Sequence, residues 1–401
     1  MAEIEIGIGK SGRRGYSLDE VAILPSRRTR DADEVETSWQ IDAYQFEIPV
    51  IAAPLDGVSS PATAIEMGRL GGAASVHAEG LWCRYEDPSE VLAEIAELTT
   101  QRSSGSSSGN SSSNSSSSGS SREAERIERM RQIYSVAVQP DLIAKRVAEI
   151  REAGATVCIA VSPASTESLL EHIVRAEPDL LVIQGTVTSA EHLTDGAHEP
   201  LDLKHLVRRL EVPVLVGGCA SYQAALHLMR TGAAGVLVGV GPGIASTTGK
   251  ILGVGNPQAT AVADARAARM RHLDETGVYV HVIADGGMRT GGDIAKAVVC
   301  GADAVMLGSP LAHASEAPAS GALWSRSSFH HKLPRGGMRR LDEVGTLEQI
   351  LNGPADRADG KTNLMGALRK SMAVTGYASL KDFQKADLMV MSPPTIRPGG
   401  Q

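Results

Sequence analysis

The sequence has few of the residues that mark several protein classes. Cysteine occurs four times in 401 residues, at Cys83, Cys158, Cys219 and Cys300. These cysteines do not have the spacing of a zinc site, and they are too few and too scattered for a disulfide-rich fold. Aromatic residues make up 3% of the chain, and acidic residues outnumber basic ones by 47 to 39. The sequence therefore predicts neither a disulfide scaffold nor a zinc domain, and it offers no basic stripe for nucleic acid.

Long apolar segments are also missing. No run of 18 apolar residues is present, so we expect no membrane span. The first residues, Met-Ala-Glu-Ile-Glu-Ile-Gly, lack the apolar core of a signal peptide. The expectation from both absences is a cytoplasmic protein.

Apolar runs of strand length alternate with helical patterns along most of the chain. There are eight, each followed by a helical stretch: Ile48–Ala52, Ala73–His77, Thr156–Val161, Leu180–Gln184, Val212–Val216, Gly235–Val238, Val280–Ala284 and Ala304–Leu307. The helical stretch predicted after the second strand is Pro88–Leu98. Eight such units predict an α/β fold, a (β/α)8 TIM barrel in a single domain over residues 1–401. An open doubly wound sheet is the alternative, but it does not need eight even units. A barrel carries its active site at the carboxyl ends of the strands.

Residues 103–121 differ in composition from the rest of the chain. They comprise fourteen Ser, three Gly and two Asn. Because such a segment has no apolar surface to bury, we predict a disordered, flexible linker inserted after the second strand-helix unit. A flexible chain of this length would place its ends roughly 25 Å apart. A natural expansion and an engineered spacer both fit this composition.

The sixth predicted strand leads into a glycine-rich loop, which is the main candidate for a functional site. Three glycines and three hydroxyl side chains follow this strand: Gly239, Gly241, Gly243, Ser246, Thr247 and Thr248. Glycines let the backbone approach a ligand closely, and hydroxyls at a strand end can bind or react with one. The alternative is a tight turn whose glycines serve only local geometry.

The seventh and eighth strands also end in polar signals, Asp285 with Gly287 and Gly308 with Ser309. Barrels often hold phosphate on backbone N–H groups of these two loops, and a carboxylate can accept two vicinal hydroxyls. The pattern predicts a site for a nucleoside monophosphate, with helix capping and simple turns as the alternative. His77 ends the second strand, where it could contact the ligand; a histidine that only packs within the barrel is the alternative.

Several motifs together resemble one enzyme family. They are Val-Gly-Val-Gly-Pro-Gly-Ile-Ala-Ser-Thr-Thr at 238–248, Ala-Asp-Gly-Gly at 284–287, Gly-Asp-Ile-Ala-Lys-Ala at 292–297, Gly-Ala-Asp-Ala-Val-Met-Leu-Gly-Ser at 301–309, Tyr-Ser-Leu-Asp-Glu-Val-Ala-Ile-Leu-Pro at 16–25 and Ile-Pro-Val-Ile-Ala-Ala-Pro-Leu-Asp at 48–56. They resemble the IMP dehydrogenase/GMP reductase family. The sequence contains no CBS-sized regulatory module, and it looks most like the IMP dehydrogenase-related branch that lacks one.

The resemblance implies a chemistry for the glycine-rich loop. In the family, a cysteine of this loop attacks C2 of IMP, NAD accepts the hydride, and hydrolysis yields XMP. The matching position here is Ser246, a weaker nucleophile that needs a general base. Thr248 matches the threonine that helps to activate the nucleophile or water. The family's flap carries an Arg-Tyr pair that activates water. No clear Arg-Tyr pair follows residue 310 here; Arg335 is the nearest candidate by position, with a solvated loop arginine as the alternative.

The resemblance also implies binding roles at the other strand ends. The nucleotide would be bound by Asp285, Gly287, Gly308, Ser309 and Gly243. The dinucleotide NAD would be bound by Gln184, Gly239 and Gly241. Backbone carbonyls of Gly241, Gly243 and Ser246 match a monovalent-cation site, usually potassium. The implied partners are a purine nucleoside monophosphate (IMP, GMP or XMP) and further copies of the chain in a homotetramer or octamer.

Three functions remain open from the sequence. An IMP dehydrogenase-like oxidoreductase is the one we expect, with an activity weakened by Ser246. GMP reductase, which converts GMP to IMP with NADPH and loss of ammonia, is the second. The third is a non-catalytic protein that binds purine nucleotides; Ser246 favours it, as does Gln184, which stands where dehydrogenases commonly carry an aspartate.

Overall fold

The computed structural model describes residues 3–100, 116–192 and 201–391. Its strands are β1 (Glu3–Gly7), β2 (Lys10–Arg13), β3 (Val21–Ile23), β4 (Trp39–Ile41), β5 (Tyr44–Phe46), β6 (Val50–Ala52), β7 (Ala73–His77), β8 (Cys158–Val161), β9 (Leu180–Gln184), β10 (Val214–Cys219), β11 (Gly235–Val238), β12 (His281–Asp285), β13 (Ala304–Leu307), β14 (Ala322–Leu323), β15 (Arg339–Arg340) and β16 (Leu388–Val390). Its helices are α1 (Pro61–Arg69), α2 (Ser89–Thr100), α3 (Ser116–Ser135), α4 (Pro140–Glu152), α5 (Thr166–Ala176), α6 (Leu203–Arg209), α7 (Tyr222–Met229), α8 (Thr248–Leu252), α9 (Gln258–Thr276), α10 (Gly291–Cys300), α11 (Ser309–Ala312), α12 (Leu347–Leu351), α13 (Leu364–Val374) and α14 (Leu380–Phe383). Across these ranges, no helix combines the length and apolar character needed to cross a bilayer.

Strands β6 to β13 form a closed barrel in which every neighbouring pair is parallel. The last strand pairs with the first, with Met306 opposite Ile51, so the sheet has no open edge. Nearly all residues of these strands are buried, because helices cover the outside and side chains fill the inside. The structure confirms the predicted (β/α)8 barrel.

All eight predicted strands are present, with small differences in their bounds. The largest difference is at β10, which begins at Val214 rather than Val212 and continues through Gly217 and Gly218 to Cys219. A Cβ on Gly217 would lie 2.4 Å from the Cβ of Leu237 in β11. The glycine therefore lets β10 and β11 stay paired at a point where the sequence pattern indicated the end of the strand.

The helix of the second strand-helix unit differs from the prediction. The stretch predicted for it, Pro88–Leu98, forms α2, whereas α4 packs between α1 and α5 around the barrel. The buried face of α4 consists of Leu142, Ile143, Arg146, Val147 and Ile150. The Ser/Gly-rich segment therefore lies between β7 and the helix of the same unit.

Helices α2 and α3 pack on each other and form a cluster separate from the main core. Its members are Leu81, Leu92, Ile95, Met130, Ile133, Tyr134, Ala319, Ala322, Trp324 and Met338. Arg129 of α3 also donates to Glu94 of α2, with Nη2 and Oε2 2.9 Å apart. Helix α3 begins at Ser116, so the last six residues of the predicted linker are helical here, and residues 103–115 lie outside the described residues.

The hairpin β4–β5 fills the amino end of the barrel. Trp39 stacks on Phe46 with ring centroids 5.1 Å apart, and it meets His281, the first residue of β12, edge-on at 5.9 Å. The indole N–H of Trp39 donates to the carbonyl of Ile48 at 3.0 Å. These contacts lie at the opposite end of the barrel from the predicted site.

A buried ion pair joins Arg269 of α9 to Asp303, the residue before β13. The guanidinium of Arg269 donates to Oδ2 of Asp303 at 2.7 Å, and the two side chains are 2% and 4% exposed. We expect Asp303→Asn to lower the free energy of unfolding by about 3–5 kcal/mol, because it leaves the guanidinium buried without a counter-charge. Denaturant titration followed by circular dichroism measures this loss.

The matched control is Glu171→Gln. Glu171 forms an ion pair with Arg175 at 2.6 Å, but the two side chains are 80% and 69% exposed. Exposed pairs on a helix are worth about 0.3–0.5 kcal/mol, so this variant should unfold almost as the parent does. Equal losses of unfolding free energy in the two variants would show that the buried pair stabilises the fold no more than an exposed pair does.

Candidate active site

A cavity of about 830 Å³ opens at the carboxyl ends of the barrel strands, a volume typical of small-molecule sites. Every residue that the sequence predicted for the site lines it: Gln184, Gly239, Gly241, Gly243, Ser246, Thr248, Asp285, Gly287, Gly308, Ser309 and Arg335. They come from the ends of β9, β11, β12 and β13 and from the chain that follows α11. The structure thus brings together residues far apart in sequence.

The loop between β11 and α8, called the Ser246 loop below, starts with close backbone contacts. A Cβ on Gly239 would lie 2.0 Å from the carbonyl oxygen of Asp285, and Gly241 has a φ of +80°. The amide of Ser246 then donates to the carbonyl of Gly243 at 2.9 Å. The glycines therefore let the loop lie against β12 and fold back to present Ser246 to the cavity.

The hydroxyl of Ser246 is hydrogen-bonded to Thr248. It donates to Oγ1 of Thr248 at 3.1 Å, and the Thr248 amide donates to Oγ of Ser246 at 3.3 Å. A threonine hydroxyl and an amide cannot remove the serine proton at neutral pH. This arrangement orients the serine hydroxyl but does not activate it as a nucleophile.

The cysteines of the chain do not replace the absent thiol. All four are buried, and burial raises the pKa of each thiol to about 12: Cys83, Cys158, Cys219 and Cys300. None of them is among the described residues that line the cavity. A thiolate nucleophile would have to be introduced at the Ser246 loop itself.

His77 lines the cavity at the end of β7, opposite β11 in the barrel. Burial, with a smaller effect from the guanidinium of Arg326, lowers the pKa of its imidazole to about 3. The amide of Glu79 donates to its Nδ1 at 3.1 Å. His77 is therefore neutral at physiological pH and a weak base.

Asp285 ends β12 and faces the cavity. Burial raises the pKa of its carboxyl to about 6, although a hydrogen bond from Nε2 of Gln184, 2.7 Å from Oδ2, partly opposes this shift. The carboxyl is therefore mostly ionised at pH 7 and can accept hydrogen bonds from a ligand. Gln184 ends β9, so the residue predicted to bind the cofactor also contacts the carboxylate predicted to bind ribose.

Backbone groups of two paired strands line one side of the cavity. Gly286 and Gly287 follow β12 with φ of +79° and +80°, and a Cβ on Gly287 would lie 3.2 Å from that of Pro242. Gly308 and Ser309 follow β13, which pairs with β12. Backbone N–H groups in such turns suit an anion.

Residues 323–337, called the roof below, cover the cavity. The amide of Gly336 donates to Oγ1 of Thr247 at 2.6 Å, and that of Gly337 donates to the carbonyl of Ala245 at 2.5 Å. The roof therefore binds both chain neighbours of Ser246. Arg335 donates through Nη2 to Oγ1 of Thr186 at 3.4 Å, and its Nε is buried with no partner among the described residues.

Sequence reasoning missed the acidic residue that supports the roof. Glu79, two residues beyond β7, forms an ion pair with Arg326 at 2.5 Å and accepts from the amide of Ser162 and the hydroxyl of Ser165 at 2.8 and 2.6 Å. Burial is the largest single influence and raises the pKa of Glu79, but the hydrogen bonds from Arg326 and Ser165 and the neighbouring positive charge together outweigh it, and the pKa falls to about 2. Its place after a predicted strand was the signal that could have identified it.

Sequence reasoning also missed the contribution of α3. Arg131 and Tyr134 of this helix line the cavity. The available signal was the apolar spacing of Met130, Ile133 and Tyr134, which marks one buried face of a helix. That spacing predicts burial, but it does not say which part of the molecule the helix covers.

The Ser246 loop offers oxygen ligands of the kind that potassium prefers. The carbonyls assigned to this site, those of Gly241, Gly243 and Ser246, lie on one short loop. The carbonyl of Gly243 accepts one hydrogen bond and keeps a second lone pair. A donor set of backbone carbonyls suits potassium, so the residues fit this ion. Over residues 3–100, 116–192 and 201–391, no group of three His, Cys, Asp or Glu side chains is placed to hold a metal.

Known proteins are similar to the chain along almost its whole length. The family model described as "IMP dehydrogenase / GMP reductase domain" matches residues 15–399. An uncharacterized oxidoreductase of Mycolicibacterium smegmatis is 48% identical over 394 residues, which cover 97% of this chain and 100% of the relative. Inosine-5'-monophosphate dehydrogenase of Methanocaldococcus jannaschii is 24% identical over 479 residues, covering 95% and 93%.

A solved structure agrees with these matches. The crystal structure of an IMP dehydrogenase/GMP reductase-like protein from Corynebacterium glutamicum superposes with a TM-score of 0.87 at 40% identity, covering 97% of each chain. The fold, the motifs and the sequence similarity thus indicate the same family. The relatives with the higher identities are described as oxidoreductases. The chain belongs to the IMP dehydrogenase/GMP reductase family of oxidoreductases.

Proposed function

We propose that this chain binds a purine nucleoside monophosphate and acts as an IMP dehydrogenase-type oxidoreductase. The observation that carries the proposal is that Ser246, Asp285 and the backbone at Gly308 line one cavity. They suit the base, the ribose and the phosphate of one nucleotide. The reaction converts IMP, NAD⁺ and water into XMP, NADH and a proton, so NAD⁺ is the oxidant and water supplies the new oxygen.

Each part of the nucleotide would meet a group suited to it. The ionised carboxylate of Asp285 would accept hydrogen bonds from the two ribose hydroxyls. Backbone N–H groups of Gly287, Gly308 and Ser309, with Gly243 nearby, would bind the phosphate, as in other barrels. Ser246 would face the purine ring.

NAD would occupy the part of the cavity that this nucleotide leaves free. The nucleotide residues belong to β11, β12 and β13, whereas Gln184 and His77 line the side of β9 and β7. Gln184 on this side, with Gly239 and Gly241 at the start of the Ser246 loop next to the nucleotide, would hold the cofactor, which supplies the hydride acceptor when bound. Arg335, whose Nε has no partner among the described residues, would orient the water that completes the reaction.

Potassium and self-association complete the proposal. The carbonyls of the Ser246 loop would hold the ion, which would fix the loop that presents the serine. Three isoleucines in and just after β1 are exposed: Ile4, Ile6 and Ile8. Further copies of the chain would bury these apolar side chains in a homotetramer or octamer. We extend the proposal to a cytoplasmic location.

One observation favours a second candidate, a non-catalytic protein that binds purine nucleotides. The hydroxyl of Ser246 is held by Thr248, and the cavity is lined by no thiol among the described residues. The binding groups do not depend on a thiol. Nucleotide affinity without turnover would therefore agree with this candidate.

Calorimetric titration of IMP, GMP and XMP, with and without potassium, tests the proposal. We expect IMP to bind with a Kd below 1 mM, and inosine, which lacks the phosphate, to bind at least tenfold more weakly. NADH production with IMP, or NADPH oxidation with GMP, then separates the dehydrogenase from a reductase. Failure of both IMP and GMP to bind at millimolar concentration would refute the proposed substrate class.

A further inference from the structure

Tyr134 links the barrel to the roof through a buried hydrogen-bond chain. Its hydroxyl donates to Oδ2 of Asp56 at 2.5 Å and accepts from the indole N–H of Trp324 at 2.9 Å. Oδ1 of Asp56 accepts from the amide of Leu81 at 2.9 Å. Asp56 follows β6, Tyr134 lies in the last turn of α3, and Trp324 belongs to the roof. One phenol thus connects three separate parts of the chain.

Helix α3 holds the roof at further points. The ring of Phe329 stacks on that of Tyr134 with centroids 4.3 Å apart. The guanidinium of Arg131, one turn earlier in the helix, donates to the carbonyls of Phe329, His330 and His331 at 3.4, 3.3 and 3.2 Å. These contacts run along one face of α3, so the helix and the roof form one packed unit.

The same roof reaches the Ser246 loop. At its far end the amides of Gly336 and Gly337 donate to Thr247 and Ala245, and near its start Arg326 forms an ion pair with Glu79. A continuous set of packed and hydrogen-bonded groups therefore runs from α3 to the residues on either side of Ser246. A change at the α3 end can reach the loop by this path.

We propose that Tyr134 is a positioning residue of the active site: by joining Asp56 to Trp324 it holds the roof against the Ser246 loop. Helix α3 acts as a strap across the cavity mouth, and its phenol is the point of attachment. The inference rests on the proposed function only for the chemistry under the roof, because the contacts themselves require no ligand.

Hydrogen–deuterium exchange of the ligand-free full chain tests the strap. In Tyr134→Phe we expect the peptide that contains Gly336 and Gly337 to exchange about tenfold faster, while a peptide covering β9 stays within twofold of the parent. Trp324→Phe removes the donor at the other end of the chain and should give the same pattern. Because nucleotide is absent, this result stands whether or not IMP binds.

Tyr85→Phe is the matched control. Its hydroxyl also bonds α3, donating to the carbonyl of Ile133 at 2.8 Å, but Tyr85 is not among the residues that line the cavity. We expect exchange at 336–337 to stay within twofold of the parent. Unchanged exchange there in Tyr134→Phe, or faster exchange confined to residues 122–135, would overturn the proposal.

A kinetic readout separates positioning from packing. In a Ser246→Cys background that turns over, adding Tyr134→Phe should lower kcat about tenfold and change the KM for IMP less than twofold, because the roof contacts the reactive loop, whereas most of the nucleotide residues follow β12 and β13. An unchanged kcat would overturn the proposal. If that background is inactive, the proposed function fails and the exchange experiment alone decides the role of Tyr134.

Discussion

The Ser246→Cys variant should oxidise IMP at least about 100-fold faster than the chain with serine. A free thiol has a pKa near 8.5, so a few per cent is ionised at neutral pH, and thiolates are intrinsically strong nucleophiles. The serine hydroxyl has only Thr248 as its described partner and stays protonated. The substitution replaces one atom and leaves the glycines that shape the loop unchanged. NADH absorbance with IMP and NAD measures the gain.

Ser246→Ala is the control for this gain. It removes the hydroxyl and its hydrogen bonds to Thr248, and it should bind IMP within about threefold of the parent, because the predicted binding groups belong to other residues. If Ser246→Cys binds IMP and still produces no NADH, the dehydrogenase proposal fails. The chain would then be the non-catalytic nucleotide-binding protein.

Asp285→Asn should weaken IMP binding about 100-fold at pH 8. An ionised carboxylate that accepts two hydroxyl hydrogen bonds contributes about 3 kcal/mol, and each 1.4 kcal/mol is a factor of ten in Kd. The amide keeps the shape of the side chain but loses the charge and one acceptor. Calorimetric titration at pH 8 measures the loss, with GMP as a second ligand.

The pKa of Asp285 determines how IMP affinity changes with pH. Because burial raises the pKa of Asp285 to about 6, the carboxyl becomes protonated below pH 6, and IMP affinity should fall up to tenfold for each further pH unit. A phosphate monoester also titrates near pH 6, so the parent must be compared with Asp285→Asn over the same range. Parallel pH curves for the two proteins would show that the carboxyl has no part in binding.

The stability of Asp285→Asn should change in the opposite direction from its affinity. The raised pKa means that the folded state binds more protons than the unfolded state between about pH 4 and 6, so the contribution of this carboxyl to stability falls as pH rises through that window. Above pH 6 the full penalty of a buried charge remains. A neutral amide avoids it, and we expect a higher Tm for the variant at pH 8 by differential scanning fluorimetry.

The sequence was sufficient for the barrel and for the strand-end residues. Eight apolar runs of strand length are each buried on both faces, and a closed parallel barrel is the architecture that buries eight such runs evenly. Once the barrel closes, the carboxyl ends of its strands must converge. Ser246, Asp285 and Gly308 therefore line one cavity for a reason that was visible in the order of elements.

The roof, the strap and the ionisation of the site were decided by the tertiary structure alone. Pro88–Leu98 and the helix α4 have similar local patterns, and only packing against α1 and α5 assigns the second unit to α4. The contacts of Tyr134 with Asp56 and Trp324 join residues 78 and 190 positions apart, which no local pattern encodes. The pKa of Asp285 likewise depends on burial and on Gln184, across the barrel. Local sequence determines which faces are apolar and where strands end, whereas electrostatics and roof contacts arise from groups that meet only after the chain has folded.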